Sequence, residues 1–376
     1  MPLRNLTSVT KFTHSWQRTV TLTNPISLID APTSATPAEA AVAPGFDWLA
    51  GHGVVWRDDD LADFGDRRAE GAAALQTDVV SPLVDLGVIN AQGADTDAFL
   101  QGQLSNDLRE LTPGRAQLSS YSNPKGRVLA LFTLIRRPEG VWLETQRSLL
   151  DATCKRLRMF VLRAKVKLAD AGAEVIALGL AGPNSALILT QAGLPVPAIV
   201  WGCVEADGLV VVRRPGTAAR YTVHGSSARI EALWPQLATN ARPVGTMAWR
   251  LLDLLAGLPL IHPETREQHV AQMLNLDRLD GISFVKGCYP GQEIVARLHY
   301  LGNLKRRLFL GYTAAPEIAR GTAVYSVDNG QPVGEVLDSA LHPDHGLVLH
   351  AVLQVNHGPG PLRLGAIDGP ELILTN

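Results

Sequence analysis

"KGCYPGQEIVARLHYLGNLKRRLFLGYT", Lys286 to Thr313, is where the texture of this chain changes. Before it, helix-spaced and strand-like apolar runs alternate. After Gly302 come short strands and turns: "RRLFLGYT", "GTAVYS", Asp328-Asn329-Gly330, "GEVLDSAL", "GLVLHAVL" and "PLRLGAI". Evenly spaced strands with almost no helical periodicity predict a small β-barrel, with a domain boundary near residue 300. Within the stretch itself, Tyr289-Pro290-Gly291-Gln292 suits a type II turn, with glycine where φ is positive, and "QEIVARL" opens a short helix. A thiol just before a helix N-terminus, with Lys286 and Arg297 near it, would have its thiolate stabilised. A buried turn cysteine would carry the same residues, and no histidine stands close in sequence to act as base. Cys288 is therefore a nucleophile, a metal ligand or a plain turn residue as far as spacing goes.

Upstream, "LVDLGVINAQG" from Leu83 reads as a strand, followed by a helix that Asp95 or Thr96 can cap. "RVLALFTLIRR" and "VWLET" flank Pro138-Glu139-Gly140 as a hairpin. Leu150, Cys154, Leu157 and Val161 share one helix face, which makes Cys154 a core residue. The pattern then recurs: a strand ("EVIALGLAG"), a helix from Pro183 to Gly193, and a hairpin turning at Asp207-Gly208. The strand "YTVHG" and the helix "SSARIEALWPQL" close this second unit. Cys203 lies in an uncharged strand and reads as buried. Strands and helices alternate in short units joined by hairpins as well as crossovers, so the fold class is α+β.

The chain has 376 residues, enough for two or three domains, and 19% are charged with a formal net charge of -2. That balance removes the global basic field on which most nucleic-acid binders rely, so no direct nucleic-acid partner is expected. Cys154, Cys203 and Cys288 are scattered and form no C-x-x-C, which excludes a disulfide framework and a self-contained four-cysteine site and suits a reducing compartment. Prolines and glycines interrupt the uncharged run Val175 to Val204, so no membrane span is expected. Residues 1–45 are expected to be a disordered tail. "APTSATPAEAAVAP" cannot bury enough apolar surface to order itself. Arg4, Lys11 and Arg18 precede the first acidic residue, Asp30, giving some flavour of a mitochondrial transit peptide, but β-branched residues disfavour the required helix. A cytoplasmic location is preferred.

No P-loop, G-x-G-x-x-G, H-E-x-x-H or G-x-S-x-G is present, so nucleotide cradling, zinc proteolysis and hydrolase-elbow chemistry have no foothold. His342, His345 and His350 have metal-like spacing, but Pro-Asp-His-Gly between them reads as a turn between barrel strands, and no metal site is expected. "QGQLSND" (101–107) and "SNPKGR" (122–127) are dense in amides and turn formers. They suit a helix end and a hairpin turn, or the polar lining of a pocket for a heterocycle. Trp249 opens the apolar helix "WRLLDLLAGLP". Most tryptophans so placed are core, though one at a helix start can line a pocket.

"LDGISFVKGCYPGQEIVARLHYLGNLKRRLF" (279–309), with "FLQGQLSND", "SNPKGR" and "WRLLDLLAGLP", resembles the YgfZ family of folate-binding proteins, relatives of the glycine-cleavage T protein and of a mitochondrial iron-sulfur assembly factor. The resemblance spans Leu83 to the C-terminus. It implies two intertwined α+β subdomains around a central folate channel (46–300) and a C-terminal β-barrel (301–376). It also implies a folate-binding accessory protein, with tetrahydrofolate or a derivative as cofactor. Such a protein supports assembly or repair of iron-sulfur enzymes, including those that modify tRNA, and has client enzymes or assembly proteins as partners. Lys286, Gly287, Cys288, Tyr289, Gly291, Gln292 and Glu293 match the family signature, with Cys288 as the candidate reactive thiolate. Trp249 matches a tryptophan associated with the folate site. Three scattered cysteines would hold no permanent cluster. The alternative is a folate-dependent aminomethyltransferase or demethylase acting on a small amine. Those enzymes carry an Asp pair where this chain has Ala130-Leu131, and K-G-D rather than K-G-C, so conventional enzyme status is doubtful. Ala271 stands where the family usually has proline.

Overall fold

The computed structural model describes residues 42–57, 61–172, 174–302 and 304–375. Most of the expected tail, residues 1–41, lies outside them. Ala43 is already buried against the core, and the Phe46 amide donates to its carbonyl, so packed structure starts slightly before Phe46.

A hairpin of β1 (Val55–Arg57) and β2 (Leu61–Asp63) leads to α1 (Arg67–Gln76), whose first turn is capped by the Asp66 carboxylate accepting from the Ala69 amide. β3 (Val79–Pro82) follows. The next seven elements form one module: β4 (Leu86–Gln92), α2 (Thr96–Gln101), β5 (Ala116–Ser122), β6 (Val128–Arg137), β7 (Gly140–Gln146), α3 (Arg147–Arg158) and β8 (Lys167–Asp170). They build an antiparallel sheet ordered β5-β6-β7-β4-β8. A second module repeats the plan with β9 (Ile176–Ala181), α4 (Ser185–Gln191), β10 (Cys203–Ala206), β11 (Leu209–Arg214), β12 (Arg220–Gly225), α5 (Ser227–Asn240) and β13 (Arg242–Pro243). Its sheet runs β10-β11-β12-β9-β3-β13. β3 is thus inserted beside β9 from before the first module, and this interlocks the two halves.

The strand-to-helix corner is the same in both modules. Gly93 and Gly182 follow β4 and β9 at φ 130° and 132°, a region closed to side chains, and a Cβ there would lie 2.1 Å from the Lys165 carbonyl oxygen and 2.5 Å from Asp78 Cα. The sequence suggested a side-chain cap at Asp95 or Thr96. The Asp95 carboxylate instead accepts from the Lys165 amide at 2.7 Å, tying the corner to the loop before β8.

Strand alternation sorts the two faces. Leu209 and Val211 of β11, with Tyr221 and Val223 of β12, pack outward under α4 and α5, while Val210, Val212 and Arg214 face the other sheet. In the first module Leu134, Val141 and Leu143 pack outward under α2 and α3, leaving Thr133 and Glu144 facing inward. Two sheets therefore meet across a layer that is apolar at its edges and charged at its centre.

α6 (Thr246–Leu255) and α7 (Gln292–Tyr300) connect this core to the barrel. The barrel strands are β14 (Arg306–Thr313), β15 (Ala323–Ser326), β16 (Pro332–His342), β17 (Gly346–Gln354), β18 (Leu362–Leu364) and β19 (Glu371–Leu374), closed in the order β14-β17-β16-β15-β18-β19. The α+β class with a closed C-terminal barrel is the one expected. No helix among the described residues is long and apolar enough to cross a membrane. His342 ends β16, and Pro343, Asp344 and His345 turn into β17. The His342 and His345 rings stack at 4.6 Å, and no group of three or more His, Cys, Asp or Glu side chains that could hold a metal ion occurs among the described residues.

A buried ionic chain fastens the parts. Arg250 of α6 reaches Asp85, between β3 and β4, at 2.8 Å and Asp338 of β16 at 3.6 Å. Asp338 also takes Arg320 at 3.0 Å and His262 at 3.3 Å. Burial alone would push the Asp338 carboxyl up, but Arg250, His262 and Arg320 together hold it well below the carboxylate range. Deleting this anion would leave buried Arg250 with Asp85 alone and take the nearer carboxylate from Arg320, so Asp338→Ala is expected to cost about 3–5 kcal/mol, read as a lower denaturation midpoint. Because the folded value lies below the unfolded one, the contribution is complete above the ordinary carboxylate range and fades as pH falls through and below it. Between about pH 5 and pH 2 the wild type should therefore lose more stability than Asp338→Ala.

Candidate functional site

Three stretches singled out in the sequence are brought together by the fold. Cys288 lies exposed on the loop before α7, and what lies beneath it is rigid. Lys286 is 4% exposed, and its Nζ donates to the carbonyls of Leu104 at 2.6 Å and Asn106 at 2.9 Å, inside "QGQLSND". The same ammonium sits 5.1 Å from the centre of the Tyr289 ring. The Asn106 side chain donates to Leu118 and Asp280 carbonyls, and Ser105 Oγ to Gly281, fixing the segment that leads into the signature. Gln292 Nε2 donates back to the Lys286 carbonyl at 3.3 Å.

Gly291 closes the turn at φ 81°, as the type II reading requires. A Cβ there would sit 2.5 Å from Gly126 Cα and 2.8 Å from the Asn123 carbonyl oxygen, so the signature loop lies directly on "SNPKGR". Gly287 and Glu293 are exposed beside the thiol, and Tyr289 is buried. Burial pushes the Tyr289 hydroxyl up to about 12 and pulls the Lys286 ammonium down to about 8. Lys286 is thus an anchor beneath the loop, occupied by two carbonyls. The exposed Arg297 of α7 is the other cation of the signature.

A second assembly lies between the sheets and escaped the sequence reading. Glu144 Oε1 receives Arg214 at 2.6 Å, Glu144 Oε2 pairs with His224 Nε2 at 2.6 Å, and Arg214 donates to Thr133 Oγ1 at 2.7 Å. Burial opposes the Glu144 charge, yet Arg214 and His224 bring its carboxyl down to about 2. Thr133, Glu144, Arg214, Trp201 and the 258–261 segment border a cavity of about 50 Å³. Of the two residues that the resemblance sets against the Asp pair, Ala130 packs outward, and Leu131 lines the cavity with an apolar side chain. The signal for this centre was a single Glu, Arg and His, each on the same face of an otherwise buried strand.

Trp249 does not line the cavity. It is 3% exposed, its ring against Gly179 and under the Arg220 guanidinium at 4.4 Å. Asp253, which pairs with Arg220 at 2.5 Å, does line it, so Trp249 stands one layer behind the wall. Trp201 is the tryptophan at the cavity, held at φ 60° with Arg214 5.4 Å from its ring centre.

No protein-family model matches the chain. Curated relatives do. The "tRNA-modifying protein YgfZ" of Colwellia psychrerythraea is 30% identical over 307 residues, covering 81% of this chain and 93% of that protein. The protein of the same name from Klebsiella pneumoniae is 32% identical over 299 residues, covering 78% and 90%. This chain belongs to the YgfZ family. Among solved structures, the glycine cleavage system aminomethyltransferase T of Bartonella henselae superposes with TM-score 0.70 at 18% identity, over 82% of this chain and 87% of that one. At that identity the likeness establishes the glycine-cleavage T-like fold. The YgfZ signature residues thus sit on a fold shared with an aminomethyltransferase, with alanine and leucine where an Asp pair is expected.

Burial raises the other two thiols, Cys203 to about 11, so in native buffer iodoacetamide should label one cysteine per YgfZ chain, Cys288, and three after denaturation. A second labelled cysteine in the folded protein would contradict this assignment. Lys286→Met should cost about 1–3 kcal/mol by leaving two buried carbonyls without a donor. Because the folded Lys286 value lies below the unfolded one, wild-type stability should rise from about pH 8 toward the ordinary lysine value, 10.5, a rise the variant lacks.

Proposed function

We propose that this YgfZ-family protein binds a folate, tetrahydrofolate or a derivative, and uses Cys288 in support of iron-sulfur enzymes, among them enzymes that modify tRNA. The observation that carries the reading is the exposed Cys288 thiol on a loop locked from beneath by Lys286 and from the side by Gly126. A cysteine kept only for packing has no need of such presentation, and Cys154 and Cys203 show what packed cysteines look like here. The names of the curated relatives support the link to tRNA modification. Clients and assembly proteins would meet the thiol at the surface.

The inter-sheet layer has the chemistry to hold the heterocycle. Thr133, Glu144 and Arg214 offer an acceptor and donors for a ring edge, and Thr222 Oγ1 and His224 Nδ1, on the inward face of β12, are buried without hydrogen-bond partners, as is Trp249 Nε1 behind the cavity wall. The cavity of about 50 Å³ is far below the several hundred Å³ of ligand pockets, so entry requires the Trp201 side chain or the 258–261 segment to move. A bound tetrahydrofolate supplies one-carbon chemistry. The protein's own residues orient it and exclude water.

A folate-dependent aminomethyl transfer is the second reading, favoured by the shared fold. The apolar pair Ala130-Leu131 weakens it, because no carboxylate stands there to assist the amine. Deleting the gene and measuring methylthio-modified tRNA separates the readings. Deletion should lower the modification, wild type should restore it, and Cys288→Ala should not. Unchanged modification on deletion sinks the proposal. Turnover of glycine-type amines by the purified protein with tetrahydrofolate would revive the transferase.

A further inference from the structure

The connection from α3 to β8, "RMFVLRAK" (158–165), holds large apolar side chains out in water. Met159 is 70% exposed, Phe160 43% and Leu162 87%. They do not belong to a frayed end. The amides of Met159, Phe160 and Val161 donate to the carbonyls of Arg156, Leu157 and Arg158, and Val161 turns inward against the outer core of the first module. At the far end of the connection, the Lys165 amide donates to the Asp95 carboxylate and its carbonyl accepts from the Asp95 amide. Leu162 sits at φ 47°, in the left-handed region that glycine adopts freely and leucine does not. A leucine there carries a backbone cost, and with its side chain almost wholly in water no packing within the chain offsets it. A rigid loop that presents three apolar tips, one of them on strained backbone, is shaped for something outside the chain.

The charge around these tips says what that is. From Lys155 to Lys167 the sequence holds six cations and no carboxylate, in a chain whose net charge is -2. Lys155, Arg158, Arg163, Lys165 and Lys167 are exposed. Asp151 takes Lys155 at 2.8 Å, and among the described residues none of the other four has an ion pair. Cations therefore stand before and after the apolar tip. An RNA backbone would meet the cations but leave Met159 and Leu162, which cannot stack on bases, in water. A strand of another protein would find the outer edge of β8 occupied, because Arg158 donates twice to the Leu168 carbonyl. An anionic bilayer uses both parts, with apolar tips at the headgroup boundary and flanking cations against anionic headgroups. We propose that the 158–165 connection is a peripheral membrane contact that inserts Met159, Phe160 and Leu162 into an anionic lipid surface, with Arg158, Arg163, Lys165 and Lys167 against the headgroups. Such a contact needs no spanning helix, and it is independent of folate binding and of Cys288.

Flotation of the full chain with lipid vesicles tests it. Wild type should partition onto vesicles of phosphatidylcholine and phosphatidylglycerol in equal parts at least about tenfold more strongly than onto phosphatidylcholine alone. Rising salt should weaken that binding. Leu162→Gly removes the most exposed tip and relieves the left-handed backbone, so its denaturation midpoint should stay within a few degrees of wild type while its partitioning falls about tenfold. Arg163→Gln/Lys165→Gln should lose a similar factor and part of the salt dependence. Equal binding of wild type to the two kinds of vesicle, or wild-type partitioning of Leu162→Gly, overturns the proposal. Absence of vesicle binding overturns it too, and would leave the apolar tips to a pocket on another protein. If Leu162→Gly binds normally while the glutamine variant loses anionic vesicles and tRNA alike, the cations form a general polyanion site and the membrane contact falls.

Discussion

Arg250 is the residue on which the arrangement of the whole molecule turns. One buried guanidinium on α6 joins the β3–β4 connection through Asp85 and the barrel through Asp338, and Asp338 draws in the 261–270 segment and Arg320. A buried charge network is a poor source of net stability, since desolvation consumes most of the Coulomb gain. What it provides is register. Apolar contacts between α6 and the barrel would tolerate sliding, whereas an arginine fork between two carboxylates does not. The signature loop needs that register, because it rests on Leu104, Asn106 and Gly126 of the first module while Val295 of the helix after it packs with Leu308, Leu337 and Val352 of the barrel.

The barrel and its boundary were legible in the sequence because short strands and Gly/Asn turns are local signals. So were the hairpin at Pro138-Glu139-Gly140, α3 with its buried Cys154, and the second-module strands. β3 and β5 were not. β3 is four residues long, and its partners lie in the other half of the chain, so no local pattern could announce it. β5 ("AQLSSYS") is rich in serines, of which Ser119 joins a hydrogen-bonded network with Ser105 and Asn106, and this polar composition hides its strand character. The Asp95 cap was misread for a related reason, since its carboxylate is claimed by a backbone amide seventy residues on.

For the site, the signature marked the right loop but not the roles within it. Charge near a thiol in sequence suggested that Lys286 acts on Cys288, yet carbonyls of "QGQLSND" take its ammonium, a contact that only the fold can create. Gly291 was legible as a turn glycine, while its closeness to Gly126 was not. Trp249 and Trp201 differ in the same way. Helical spacing made Trp249 conspicuous, whereas Trp201, at the end of an uncharged loop, carried no pattern that would place it at the cavity.

The insertion of β3 into the second sheet has a consequence for how the chain is made. A ribosome releases β3 early, when β9 and β13, its neighbours on either side, have yet to be translated. Until then its row of amides and carbonyls is an open edge, and the first module stands without the surface its charged inner face is meant to meet. The first sheet has all its strands once β8 is made, whereas the second must wait for β9 and β13 to reach β3, and Glu144 meets Arg214 and His224 only then. The second sheet is thus closed by pairings distant in sequence, the kind that form late in folding.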